Sequence, residues 1–410
     1  MTFVRGLRCV HCRARYPLAP MFEGCPACAT DGFASGVTPE YDYDALRAML
    51  GGRPVAEAGI GLWRYRRLLP VLDRSHEVSL GEGDTSLVPV PRLARELGAA
   101  EVWIKDESGN PTWSFKDRNA AVAVSKAREF GAETLVAATS GNHGASVAAY
   151  AARAGLDCAA LTYPGISAGN RILMQASGAQ LVVTTPEGRR TLLRHAIRTL
   201  GWHPLTNTTD PPTNSAYGHE GYKTIAYEIV DQLGGRPPDL VAIPTAHAEG
   251  LFGIWKGFDE LRLLGQLTEV PRMLACEPEG GPLHLAHAKG HPGIAVVPRT
   301  ATVARGIDVT ANTYIGVAAL AQSNGLVVQA SDEAILTAQR DLATEGFFVE
   351  PASAAALAGL RVAVDRRQLP RGLSIVVVNT SSGLKNLEAI VPLHEQPVTV
   401  APTLTALGPV

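Results

Sequence analysis

Long apolar runs, a charge of one sign and dispersed cysteines are all missing from this chain. No stretch of eighteen or more apolar residues occurs in its 410 residues, so no membrane-spanning helix is expected. Met1-Thr2-Phe3-Val4-Arg5-Gly6 holds no apolar segment that would export the chain, which makes the cytoplasm the expected address. The 37 lysines and arginines nearly balance the 39 acids, leaving a net charge of -2 and no basic field to hold nucleic acid. No internal repeat stands out. What remains, 46% hydrophobic and 19% charged, is the composition of a soluble globular enzyme long enough for two or more domains.

Cysteine is scarce and unevenly distributed. Four of the six fall in the first 28 residues, as Cys9-x-x-Cys12 and Cys25-x-x-Cys28, with twelve residues between the pairs. Two such pairs read as a four-cysteine zinc ribbon, and the Zn2+ is structural because four thiolates leave no open position. So short a segment cannot bury a core, and the metal would supply its folding free energy. A pair of disulfides is the competing reading, disfavoured because nothing marks the chain as secreted. Cys158 and Cys276 lie in apolar, strand-like surroundings and read as inert core residues.

After this segment, Tyr41 to Arg67 connects through short helical pieces. From Glu101 to Val183 short apolar strands alternate with helices, and a second alternating series runs from Glu220 to Val378. That alternation argues for an α/β chain with two open parallel-sheet domains. The expected division is a zinc-ribbon-like segment at 1–40, a large domain from 41–95 plus 216–395, and a small domain at 96–215. A loose Pro/Thr-rich tail follows at 396–410. Two such domains imply a cleft, with ligands at the carboxyl ends of the strands.

Ser114-Phe115-Lys116-Asp117-Arg118 puts one lysine at a junction between strand and helix. There it faces the unpaired amides of a helix N-terminus. That field and partial burial both disfavour the ammonium form and free the amine to attack a carbonyl. Pyridoxal phosphate, held as a Schiff base, is the carbonyl partner this suggests. A solvated helix start explains the motif equally well on its own. Two further stretches shift the balance. Thr139-Ser140-Gly141-Asn142-His143-Gly144 links an apolar strand to a small-residue helix, presenting backbone amides and an Asn to an anion or ring oxygen. Asn379-Thr380-Ser381-Ser382-Gly383-Leu384-Lys385 follows the apolar strand Ile375 to Val378.

In this order the three motifs resemble those of the fold type II pyridoxal-phosphate enzymes, and within that group the threonine synthase family. The resemblance runs from about Leu80 to Leu387 and rests on six blocks, among them KDESGNPTWSFKDR from Lys105, ATSGNHGASVAAYAARAGL from Ala138 and GIWKGFDEL from Gly253. It implies elimination or replacement at Cβ or Cγ of an amino-acid substrate, with conversion of O-phosphohomoserine to threonine as the leading expectation. It also implies a homodimer. Lys116 would hold the cofactor and move the Cα proton. Asn142 would bond the ring hydroxyl, Thr380 would meet the pyridine nitrogen, and the amides of Ser140, Gly141 and His143 would grip the substrate carboxylate. Lys105, Glu107 and Lys223 fall in family blocks but read as structural.

Two departures bear on the site. The loop that cradles the cofactor phosphate is usually rich in Gly and Asn, and here it reads Pro244-Thr245-Ala246-His247-Ala248-Glu249-Gly250. A carboxylate at Glu249 aimed at the phosphate would repel it. Either it points away and the helix start at Gly250-Leu251 still binds the phosphate, or the grip is altered. His247 either supplies compensating charge or a proton, or faces solvent. Trp113 stands where the family has a small residue, and its indole is expected to narrow the pocket. Asn119 likewise replaces a usual glycine. The alternatives are therefore a β-replacement enzyme or dehydratase of cysteate, diamino-acid or serine/threonine type, or a catalytically silent scaffold.

Overall fold

The structure is a computed structural model that describes residues 2–139, 141–290 and 293–391. Ser140 and the expected tail at 396–410 lie outside the described residues. β1 (Val4–Cys9), β2 (Arg15–Tyr16) and β3 (Val37–Tyr41) form a small antiparallel sheet ordered β2-β1-β3. β4 (Ser86–Pro89) and β5 (Glu101–Asp106) come next in the chain. They are followed by β6 (Thr134–Ala138), β7 (Asp157–Thr162), β8 (Gln180–Val183) and β9 (His203–Pro204), which make a four-stranded parallel sheet ordered β8-β7-β6-β9.

β10 (Leu240–Pro244), β11 (Arg272–Pro278), β12 (Leu326–Ala330) and β13 (Ser374–Asn379) join β5 and β4 in a six-stranded sheet. Its order is β12-β11-β10-β13-β5-β4, and only β4 runs antiparallel. β10 and β13 are buried along their whole length. Their Leu-Val-Ala-Ile and Ile-Val-Val-Val runs do not alternate because helices cover both faces. Each such side chain contributes about 1.5–3 kcal/mol when fully buried.

One expectation is corrected here. A boundary at residue 96 puts Glu101–Asp106 in the small domain, but β5 pairs with β13 across more than 260 residues of chain, from Ser374↔Glu101 to Asn379↔Asp106. Alternation of strands and helices fixes their order along the chain. It does not say which sheet a strand joins, and Val102 and Ile104 suit either core.

Two helices behind the six-stranded sheet approach closely because the second carries glycine at a four-residue spacing. A Cβ on Gly253 would lie 2.5 Å from His219 O, and one on Gly257 would lie 2.3 Å from Lys223 O. Helices His219–Gln232 and Glu249–Leu263 therefore touch backbone to backbone. The amino-terminal sheet docks on the same pair through polar groups. Thr38 Oγ1 lies 2.8 Å from His219 Nε2, Tyr41 Oη donates to Glu220 Oε2 at 2.6 Å, and Lys256 Nζ donates to Pro39 O at 2.8 Å.

Candidate active site

Lys116 is the first residue of the helix Lys116–Glu129. Its Nζ lies 4.7 Å from the centre of the Phe115 ring and 5.4 Å from that of Tyr222, two rings stacked 4.7 Å apart. Burial pulls the Lys116 pKa below its ordinary value, while the carboxylates of Glu249 and Glu350 act to raise it. The Tyr222 hydroxyl is buried without a hydrogen-bond partner among the described residues.

The Gly141 turn faces this lysine from the end of β6. Gly141 has φ 154, and a Cβ there would meet Asn170 Nδ2 at 2.9 Å. Thr139 Oγ1 ties the turn together by accepting from the amides of Gly141 (3.1 Å) and Gly144 (2.9 Å). The helix Asn142–Ala154 starts here, and the amides in its first turn have no intrahelical carbonyl to meet. Asn142 Nδ2 donates to Glu350 Oε1 at 2.7 Å and Ser381 Oγ at 3.2 Å, which leaves its buried Oδ1 without a partner. The His143 ring turns to Leu205 O at 2.5 Å, and burial lowers its pKa.

From the end of β13, Thr380 Oγ1 lies 2.8 Å from Ser353 Oγ, whose hydroxyl also accepts from the amides of Thr380 and Ser381. Thr380 O accepts from Phe115 N at 2.9 Å, so this loop is bonded to the residue preceding Lys116. Lys385 Nζ donates to Thr112 O at 2.7 Å, and burial lowers its pKa to about 8.

Glu350 and Ser353 are neighbours of the candidate site that sequence reasoning missed, and Lys385, the last residue of the Thr380 motif, is one to which it gave no role. Glu350-Pro351 signals a helix start, which is all its local sequence can say. Burial raises the Glu350 carboxyl to about 7, against the lowering effects of Lys385, Asn142 and Lys116.

The altered loop precedes the helix Glu249–Leu263. Ala248 takes the left-handed conformation there, at φ 63. Gly250 packs against Phe115, where a Cβ would come within 2.8 Å of the ring. Glu249 Oε1 accepts from Ser215 N at 3.0 Å, so its carboxylate has a backbone partner and still faces Lys116. His247 is not turned freely to water: its Nδ1 is buried and unpartnered among the described residues, and burial lowers its pKa. Trp113 also adopts a left-handed backbone, at φ 59, which explains why a small residue suits this position. Its carbonyl accepts from Ser382 N (3.1 Å) and Ser381 Oγ (3.2 Å), while its side chain stands 45% exposed.

Residues 78–381 match the family model of pyridoxal-phosphate dependent enzymes. The chain belongs to that family. It is 34% identical over 401 residues to a threonine synthase of Methanocaldococcus jannaschii, covering 96% of each chain. To a threonine synthase of Methanosarcina acetivorans it is 34% identical over 409 residues, covering 98% of this chain and 97% of the other. In fold it is similar to a diaminopropionate ammonia lyase of Escherichia coli, with a TM-score of 0.65 at 17% identity over 78% of this chain and 93% of that one. This pyridoxal-phosphate enzyme is therefore a threonine synthase-like lyase of fold type II.

The residues present suit the cofactor. Burial lowers the basicity of Lys116, Thr380 offers a hydroxyl, and the Oδ1 of Asn142 has no partner among the described residues. A helix N-terminus stands ready for a phosphate, with the Glu249 carboxylate already engaged by Ser215.

At the other end of the chain, Cys9, Cys12, Cys25 and Cys28 are free thiols whose sulfurs all lie within 4.8 Å of one another. The Cys9–Cys28 and Cys12–Cys25 sulfur pairs are each 3.6 Å apart. A tetrahedral site with Zn–S bonds of about 2.3 Å has edges of about 3.8 Å, so the cluster has the dimensions to bind metal. Cys158 is pushed up to about 12 by burial and Cys276 higher still, in keeping with unreactive thiols. Among the described residues no helix is long and apolar enough to cross a membrane.

Proposed function

We propose that this enzyme converts O-phosphohomoserine and water to threonine and phosphate, with the cofactor attached through Lys116. The observation that carries the reading is a lysine with depressed basicity at a helix start, opposed by the Asn142 turn and the Thr380 loop. The cofactor, when bound, supplies an electron sink that makes the Cα proton of the substrate acidic. Lys116 Nζ would take that proton and return it. Amides of the Gly141 turn would hold the substrate carboxylate, the helix start at Gly250 and Leu251 would hold the cofactor phosphate, and His247, in the loop before that helix, would adjoin it. Thr380 Oγ1, oriented by Ser353, meets the ring nitrogen without forcing a full positive charge on it.

A second reading, elimination or replacement on another amino acid, is favoured by one feature. Glu249 and Glu350 both face Lys116, an acidic lining that suits a neutral substrate better than a phosphorylated one. One experiment separates the two. Borohydride should fix the cofactor to Lys116 in the peptide map, and Lys116→Ala should abolish the label and lower turnover by about 10²–10⁴-fold. Phosphate release matched by threonine supports the first reading. A labelled Lys116 without phosphate release supports the second.

The four cysteines are proposed to hold one structural Zn2+. Metal analysis of Cys28→Ser should fall from about one zinc per chain to none, with faster amide exchange in β1 to β3. Family resemblance supports the further proposal of a homodimer whose subunits each hold a small and a large α/β unit.

A further inference from the structure

Arg189 is a cation for which the chemistry above has no use. It lies in the first turns of the helix Pro186–Arg198, which follows β8, so it stands at the carboxyl edge of the four-stranded sheet, where α/β proteins receive ligands. Its Nη1 donates to Thr139 O at 3.4 Å, and Thr139 is the residue whose hydroxyl ties the Gly141 turn together. Its guanidinium carbon lies 5.6 Å from the centre of the Tyr163 ring, beyond the end of β7. The Nε is shut off from water and has no hydrogen-bond partner among the described residues.

The charges around it make matters worse for an unliganded cation. Arg190 and Arg299 face it with like charge, and Glu187 is the acid that faces it. Arg299 is paired with Asp308, and Arg305 reaches the same rim with Nη1 3.4 Å from Gly165 O. No ion pair is formed by Arg189 among the described residues, whereas Arg118, in the helix Lys116–Glu129, is held by two carboxylates. A guanidinium offers five donors in a planar fork, and among the described residues one is engaged, at 3.4 Å. Arg189 is half-buried, with its Nε enclosed; holding such a group without a counter-ion is unfavourable, and an oxyanion in the cleft would relieve it.

We propose that Arg189 is the specificity-determining residue for a second oxyanion, phosphate or carboxylate, on the side chain of the amino-acid substrate. The inference rests on the substrate reading above, deepens it, and reconciles it with the acidic lining beside Lys116. Reaction takes place between Glu249 and Glu350, while the anionic group is read farther out, at the rim formed by Arg189, Arg299 and Arg305.

Calorimetry on the cofactor-loaded protein tests this with two unreactive analogues, 2-amino-5-phosphonopentanoate and the neutral norvaline. In Arg189→Ala, phosphonate binding should weaken about 10- to 100-fold, as for a lost charge-assisted hydrogen bond, with norvaline binding unchanged. Arg189→Lys should recover only part of the loss, because an ammonium cannot grip two oxygens at once. With phosphorylated substrate the loss should fall on KM rather than kcat. Equal weakening of both analogues would mean that Arg189 holds the α-carboxylate or the fold, and would overturn the proposal. So would an unchanged preference for the phosphonate. Borohydride labelling of Lys116 is read separately, so a failed cofactor assignment shows as an unlabelled wild type and a failed Arg189 assignment as an unaltered selectivity.

Discussion

Two polar regions lie within one helix of each other and are built on opposite principles. Behind Lys116, Arg118 is fully buried and every one of its donors is used. Nε and Nη2 meet Glu107 at 2.7 and 2.8 Å, while Nη1 and Nη2 meet Glu228 at 2.6 and 2.8 Å, and Thr224 takes the remaining hydrogen at 2.9 Å. Lys105 completes the cluster at 2.7 Å from Glu228 Oε2. In front of Lys116, by contrast, the Asn142 Oδ1, the His247 Nδ1 and the Tyr222 hydroxyl are buried without partners among the described residues. The first region is a closed network that fixes helix positions. The second keeps hydrogen-bonding capacity in reserve, at a cost in stability, and this is what a site for a cofactor and substrate requires.

The contrast can be broken at the closed side first. Arg118→Ala leaves Glu107 and Glu228 buried without their counter-ion and should destabilise the protein by about 3–5 kcal/mol, read from denaturant unfolding. Near-wild-type stability would mean that water or Lys105 replaces the guanidinium, and that the network is less closed than its geometry indicates.

Next in size is Glu350, on the open side. Its folded pKa of about 7 stands above the ordinary carboxylate value of 4.5, so the folded state holds the proton more tightly than the unfolded one. Its contribution is most favourable below about pH 4.5, is lost as pH rises toward 7, and is constant above that. Over this window the loss is on the order of 3 kcal/mol. Glu350→Gln should flatten that part of the stability curve in the cofactor-free protein. A slope identical to wild type would assign the titration to another group.

The smallest effect is expected at Trp113. A left-handed backbone at a non-glycine residue costs about 1–2 kcal/mol, and Trp113→Gly should recover roughly that amount less the packing lost by a half-exposed indole. If the indole also limits the cleft, the variant accepts longer substrates. Unchanged selectivity in a substrate panel would restrict Trp113 to its backbone role.

The legible parts of the site are those that local sequence encodes. Asn142 and Thr380 each follow an apolar strand closely, and Lys116 follows β5 after a longer connection; each connection carries its own signal in Gly, Asn and Ser. Trp113 was noticed as a departure, but its left-handed φ could be known only from the fold. Glu249 posed a choice between two orientations, and the Ser215 amide, 34 residues back along the chain, engages its carboxylate. Glu350, Ser353 and Arg189 have no motif of their own, and Lys385, though it ends the Thr380 motif, carries no local sign of its role. Each owes its importance to a partner brought near by folding, such as Asn142 for Glu350, 208 residues away in sequence.

By itself, then, the sequence determined the order of strands and helices, the cysteine pairs and the lysine at a helix start, because these depend on neighbours a few residues apart. Tertiary structure decided that β5 joins the large sheet, that Arg118 closes a network and that Arg189 does not. Those outcomes depend on strand pairing and on charges meeting across hundreds of residues. The free energy of such meetings comes from desolvation and counter-charge, which local sequence does not specify.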